Sequence, residues 1–154
     1  MTTMSREEAR RYLLRYGVAC DEIDAVTEEY DRIVSSLYSI TSDPSGTGGA
    51  SPSDKVGGGV AALIDHCNKL ADEIRHYVLV RDEVRGVIRE VMHLNITYGQ
   101  CLHYRYVNRW APYVAAHNMG FGERQERRVH QDALDLAAKV IARRERGSDP
   151  SGRQ

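Results

Sequence analysis

Apolar residues recur at every third or fourth position along most of the chain, which is the spacing of an amphipathic α-helix. One stripe begins near Tyr16, and the tetrapeptide from Ser5 to Glu8 has the pattern of a capping box before it. From Leu63 to Val91 the steps alternate between four and three, a heptad pattern interrupted by a charged residue at position 81. The pattern therefore predicts two long helices rather than strands.

Glycines break this pattern at two places. Gly17 predicts either a bend in the first helix or a second helix that starts at Asp21. Residues 42–59 are rich in Gly, Ser and Pro, and they predict a flexible loop after which the second helix begins near Val60. We expect residues 1–94 to form a long, coiled-coil-like helical hairpin. Its apolar seam can close within one chain, or between two chains as a homodimer.

The composition changes at Asn95. A short stretch with the core candidates Ile96, Leu102, Tyr106 and Val107 comes first, and Pro112 then suits the first turn of a short helix. Glycines at 120 and 122 predict a turn, and a final helix begins at Glu123. Short helix, turn and basic second helix follow the plan of a helix-turn-helix motif. The sequence predicts an all-α protein with this motif in residues 95–146 and a disordered tail in residues 147–154.

Charge is distributed unevenly along the chain. The net charge is -1, but residues 1–94 carry 11 basic and 16 acidic side chains, whereas residues 95–154 carry 10 basic and 6 acidic ones. The basic end favours a nucleic-acid partner. Within the predicted recognition helix, residues 123–141, arginine can fork onto guanine and glutamine can pair with adenine. The polar residues that face away from the apolar side of this helix are Arg124, Gln125, Arg127, Arg128 and Gln131.

Residues 105–134 resemble the region-four helix-turn-helix of sigma factors, in the form found in small phage regulators of the RinA and ArpU group. The matching residues are Arg105-Tyr106-Val107, Trp110, Val114-Ala115, Met119-Gly120, Arg128, His130 and Ala133-Leu134. The resemblance implies binding of double-stranded DNA and control of phage or prophage transcription, with RNA polymerase as a further candidate partner. It also implies that Glu123, Arg124, Arg127 and Arg128 read the groove.

Two residues depart from that family pattern. Gly122 stands where Ser or Thr usually caps the recognition helix. Glu126 stands where the family has an inward-facing Val or Ile, and a buried carboxylate needs a partner. We therefore expect either that Glu126 pairs with a nearby arginine or that the two helices cross differently.

Other chemistries find little support in the sequence. The three cysteines at 20, 67 and 101 are widely spaced, and no Cys or His pair has the spacing of a metal site. We expect no cofactor, no metal and no enzymatic activity, because no catalytic constellation stands out. The N-terminus lacks an apolar signal and no segment is long enough to span a bilayer, which predicts a cytoplasmic protein without membrane contact. A small terminase-like packaging protein, or a helical interaction protein that does not bind DNA specifically, is the alternative.

Overall fold

The computed structural model describes residues 3–41 and 53–148. Every regular element in these two ranges is helical, which confirms the all-α fold class. Within the same ranges no helix is both long enough and apolar enough to span a bilayer. The elements are α1 (Arg6–Thr41), α2 (Ser53–Leu94), α3 (Ile96–Leu102), a π-helical turn (His103–Val107), α4 (Pro112–Met119) and α5 (Glu123–Gly147).

The start of α1 confirms the predicted capping box. The Glu8 amide donates to the Ser5 hydroxyl at 3.2 Å, and the Glu8 carboxylate accepts from the Ser5 amide at 2.7 Å. The predicted second helix at Asp21 is wrong, because α1 continues through Gly17 without interruption. Gly17 has a packing role instead: a Cβ added there would lie 2.9 Å from Nε of Arg109, whose guanidinium covers this turn.

The second long helix begins earlier than predicted. Helix α2 starts at Ser53 and not near Val60, so residues 53–59 of the predicted loop are helical. Adding a residue to an existing helix gains a hydrogen bond without the expense of nucleation, which lets a strong downstream helix extend through glycines. The rest of the predicted loop, residues 42–52, lies outside the described residues.

The chain divides into two compact units, Met1–Ala19 with Val80–Gln154, and Cys20–Leu79. The first unit carries 17 basic and 11 acidic side chains, a net +6, and the second carries 4 basic and 11 acidic ones, a net -7. We call them the basic unit and the acidic unit. Both long helices contribute residues to each unit, whereas the predicted division at residue 94 follows a helix end. That division and the predicted hairpin stay predictions.

The core of the basic unit combines all of its helices. Leu13 of α1, Val84 and Val91 of α2, Leu102 of α3 and Ile141 of α5 are almost completely inaccessible to solvent. A close approach helps to build this core, since a Cβ added to Gly99 would lie 2.4 Å from Cα and Cβ of Met92.

Two details of the predicted C-terminal part need correction. Ile96, a predicted core residue, is 64% exposed. Asn95 ends α2 and caps α3 by accepting from the Tyr98 amide at 3.1 Å, which leaves Ile96 on the outer side of the first turn. Residue 147 was expected to belong to the tail, but α5 extends to it and Ser148 caps its end. Residues 149–154 lie outside the described part of the chain.

Candidate nucleic-acid interface

Helix α4, three connecting residues and α5 form the frame of the candidate interface. Pro112 occupies the first turn of α4, as predicted. Gly120 ends α4 with a left-handed φ of 72°, and the Phe121 amide donates to the Ala116 carbonyl at 2.8 Å, which is a Schellman-type helix end. Gly122 has an extended backbone and provides no side-chain cap for α5. Of the two predicted turn glycines, only Gly120 therefore requires left-handed backbone.

The predicted DNA-binding residues lie at the start of α5. All six are exposed on the first half of α5, namely Glu123, Arg124, Gln125, Arg127, Arg128 and Gln131. Within the described part of the chain, the guanidinium groups of Arg124, Arg127 and Arg128 have no hydrogen bond or ion pair. These three cations are therefore available to an external anion.

The spacing of these residues produces a defined outward row. Arg124, Arg128 and Gln131 are separated by four and three positions, and Asp135 continues the series four positions later. Residues at this spacing share one face of an α-helix. We call these four residues the outward row of α5. Arg127 lies beside the row.

On the opposite face of α5, Glu126 is completely buried. Its Oε1 lies 3.6 Å from Nε of Arg105 in the π-helical turn, and the Cys101 thiol lies 3.7 Å from the same oxygen. The first of the two predicted alternatives, pairing with an arginine, is thus the one observed. Glu126 Oε2 has no hydrogen-bond partner among the described residues. Burial, reinforced by the charge of Glu126, raises the pKa of Cys101 to about 12.

His130 lies one turn further along the buried face. Its Nε2 and the Tyr106 hydroxyl share a hydrogen bond of 2.8 Å, and the two rings stack with centroids 5.7 Å apart. Burial, together with the positive charges of Arg105, Arg10 and Arg6, lowers the pKa of His130 to about 4. His130 therefore packs as a neutral side chain and does not present a charge to a phosphate.

Sequence reasoning missed a contribution from the start of α1. Arg6 donates from Nε and from an Nη group to the two carboxylate oxygens of Asp135, at 2.9 and 2.7 Å. This hydrogen-bonded pair lowers the pKa of Asp135. The two residues are 129 positions apart, so no local pattern could have indicated that α1 reaches the outward row.

A second basic cluster at the end of α5 is engaged within the protein. Arg143 and Arg144 both pair with Glu90 of α2, and Arg144 also donates to the Gly86 carbonyl at 3.1 Å. Hydrogen bonding to Arg144, with a contribution from Arg143, lowers the pKa of Glu90. These two arginines therefore join α5 to α2.

Trp110, just before α4, is half-buried and stacks on Tyr104 with ring centroids 4.8 Å apart. Its ring is therefore engaged in an aromatic contact within the protein. Among residues 3–41 and 53–148, no group of three His, Cys, Asp or Glu side chains is placed to hold a metal ion.

Comparison with protein-family models, with curated proteins and with solved structures finds no match.

Proposed function

We propose that this protein is a DNA-binding transcription regulator of phage or prophage type, in which α4, the turn and α5 act as a helix-turn-helix motif. The first half of α5 would enter the major groove, and α4 would cross the phosphate backbone. The phage setting and a contact with RNA polymerase rest on the resemblance of residues 105–134 to sigma region four.

One observation carries the proposal: three arginines, which have no partner among the described residues, lie together on the exposed side of a helix that follows a tight turn. An exposed guanidinium can hold a phosphate or fork onto the O6 and N7 atoms of guanine. The net +6 of the basic unit adds a longer-range attraction for a polyanion.

The buried residues of α5 support this proposal because they hold the helix in one position. The Arg105–Glu126 pair and the Tyr106–His130 hydrogen bond hold the inner face of the same turns that expose Arg127 and Arg128. A recognition helix needs such support, since hydrogen bonds to base edges require side chains within a fraction of an ångström of their target. Glu126 stands where the family has an apolar residue, and it positions α5 through a polar contact instead.

A homodimer through the acidic unit is the second part of the proposal. Only Val26, Cys67 and Leu70 of the described residues in this unit have buried apolar side chains. The other residues of its apolar stripes are half-buried or exposed, with Leu79 68% exposed. Two helices that bury so little apolar surface gain stability when a second copy covers them.

DNA capture tests the proposal directly. The protein is mixed with sheared genomic DNA of its source at about 0.15 M salt, and the retained DNA is sequenced. We expect enrichment of a few intergenic loci, and loss of that enrichment with Arg127→Ala combined with Arg128→Ala. Each lost base or phosphate contact of this kind weakens binding by about 10-fold or more.

A matched control removes the same two charges elsewhere. Arg32→Ala combined with Arg75→Ala changes exposed arginines of the acidic unit and should bind like the parent. Equal binding by the Arg127/Arg128 variant and the parent would show that α5 is not the recognition helix. Even coverage of the genome, together with a molar mass of many copies, would favour the packaging alternative.

A further inference from the structure

The bidentate pair between Arg6 and Asp135 places the start of α1 directly beside the outward row of α5. Both side chains are about half exposed, at 47% each, so the pair lies at the surface and not in the core. Arg10 follows one helical turn later in α1 and is also exposed. Arg6 therefore adds a basic side chain to the surface that carries the outward row, and Arg10 lies on the same face of α1 as Arg6.

We infer that Arg6 and Arg10 of α1 form a second phosphate-contacting element, which binds the DNA backbone at the edge of the groove entered by α5. This inference rests on the proposed DNA-binding function and extends it to an element that is remote in sequence. The contacts would be with phosphates and not with bases, so they would add affinity without sequence preference.

The geometry of a helix in the major groove supports this placement. Arg124 and Asp135 are eleven positions apart in α5, which is about 16 Å at a rise of 1.5 Å per residue. The major groove is about 12 Å wide. When the first turns of α5 lie in the groove, Asp135 and its partner Arg6 reach past the groove edge, where the phosphates are.

Arg6 neutralises a carboxylate that would otherwise oppose DNA binding. Asp135 stands on the outward row, and an uncompensated carboxylate there would repel a phosphate. Arg6 neutralises Asp135 with two of its five N–H donors and keeps three Nη hydrogens for other acceptors. Arg10 shares Glu7 with Arg11, at 3.5 Å and 3.7 Å, and the charge of Arg10 also acts on His130 beneath the recognition turns.

The test is the salt dependence of binding to a duplex of random sequence, measured by fluorescence anisotropy between about 50 and 200 mM NaCl. Each phosphate contact contributes about 0.9 to the slope of log affinity against log salt concentration. We expect Arg6→Gln combined with Arg10→Gln to reduce the slope by about one to two. Arg11→Gln removes a charge from the same turn on another side of α1, and it should leave the slope unchanged.

A variant at Asp135 provides the opposite change. Asp135→Asn removes the carboxylate and releases Arg6, so we expect affinity for the duplex to rise several-fold. Far-ultraviolet circular dichroism and thermal unfolding of each variant confirm that the fold is retained. A parental slope in the Arg6/Arg10 variant, or weaker binding by Asp135→Asn, would overturn this inference alone. A parent protein without salt-dependent DNA binding would overturn the proposed function as well.

Discussion

Glu126 and Arg105 form the most unusual contact in the basic unit, because one partner is completely buried and the other is 19% exposed. A buried ion pair adds little net stability to a protein, because the desolvation of the two charges offsets most of their attraction. Its consequence is geometric: the carboxylate connects α5 to the π-helical turn and, through the Cys101 thiol, to α3. A single residue thus fixes the helix that exposes the candidate DNA-binding side chains.

The two members of this pair should respond unequally to substitution. Arg105→Met leaves Glu126 buried without a cation and should lower the free energy of unfolding by about 3–5 kcal/mol. Glu126→Leu should cost less, because Arg105 can still reach water. Urea denaturation at pH 7 measures both. The double variant should recover most of the loss, and a double variant as unstable as Arg105→Met would contradict this account.

His130 should make stability depend on pH. Its pKa falls from an ordinary 6.5 to about 4 in the folded protein, so folding favours the neutral ring. The contribution of His130 to the free energy of unfolding is fully present above pH 6.5. It is lost as the pH falls from 6.5 through 4, and the total loss is roughly 2–4 kcal/mol.

The control for this prediction is His130→Gln, which can keep a hydrogen bond to Tyr106 but cannot titrate. The free energy of unfolding at pH 7 and at pH 4 is measured for both proteins by urea denaturation. The parent should lose more stability than the variant over this interval. Equal losses would mean that the carboxylates alone account for the acid sensitivity.

At the scale of elements, glycines mark the places where helices end or approach each other. Gly99 lets α3 lie against Met92 of α2, and Gly17 and Gly86 make room for the guanidinium groups of Arg109 and Arg144. Gly120 adopts a left-handed backbone conformation with a φ of 72°, as does the non-glycine residue Arg109 with a φ of 56°. Gly122 meets none of these demands, since no atom of the described residues lies within 4 Å of a Cβ added there.

Two substitutions separate these roles. Gly99→Ala should destabilise the protein by about 1–3 kcal/mol or more, because its Cβ would lie 2.4 Å from Met92, which outweighs the gain in helix propensity. Gly122→Ser should stabilise it by a few tenths of a kcal/mol, since serine supplies the missing cap of α5. Thermal unfolding of both variants measures the difference. A Gly99→Ala protein as stable as the parent would refute the close approach of α3 to α2.

At the scale of the whole molecule, charge separates along the division into units, with +6 on one and -7 on the other. The division of the chain at residue 94 gives only -5 and +4, because it assigns the arginines of early α1 and late α2 to the acidic part. A polyanion should therefore be attracted to the basic unit and repelled by the acidic one.

This separation predicts opposite effects of salt on the two proposed interactions. Between about 50 and 200 mM NaCl, DNA affinity should fall because counterions released on binding gain less entropy in a more concentrated salt solution. Self-association through the acidic units should strengthen over the same range, because salt screens the repulsion between like charges. Sedimentation velocity at each salt concentration measures the fraction of protein that has twice the chain mass of 17.4 kDa. Self-association that weakens with salt would instead indicate that acidic and basic surfaces of different copies meet.

The sequence by itself determined the helical class, the start of α5 after the turn glycines, and the exposure of five of the six candidate residues, because apolar periodicity and turn residues are local properties of the chain. It left open whether Glu126 pairs with an arginine or the two helices cross differently. Only the tertiary structure decided that Arg105 is this partner, that Arg6 reaches Asp135, and that α1 and α2 each contribute to two units. These contacts join residues up to 129 positions apart, and they depend on how helices pack rather than on any pattern within one helix.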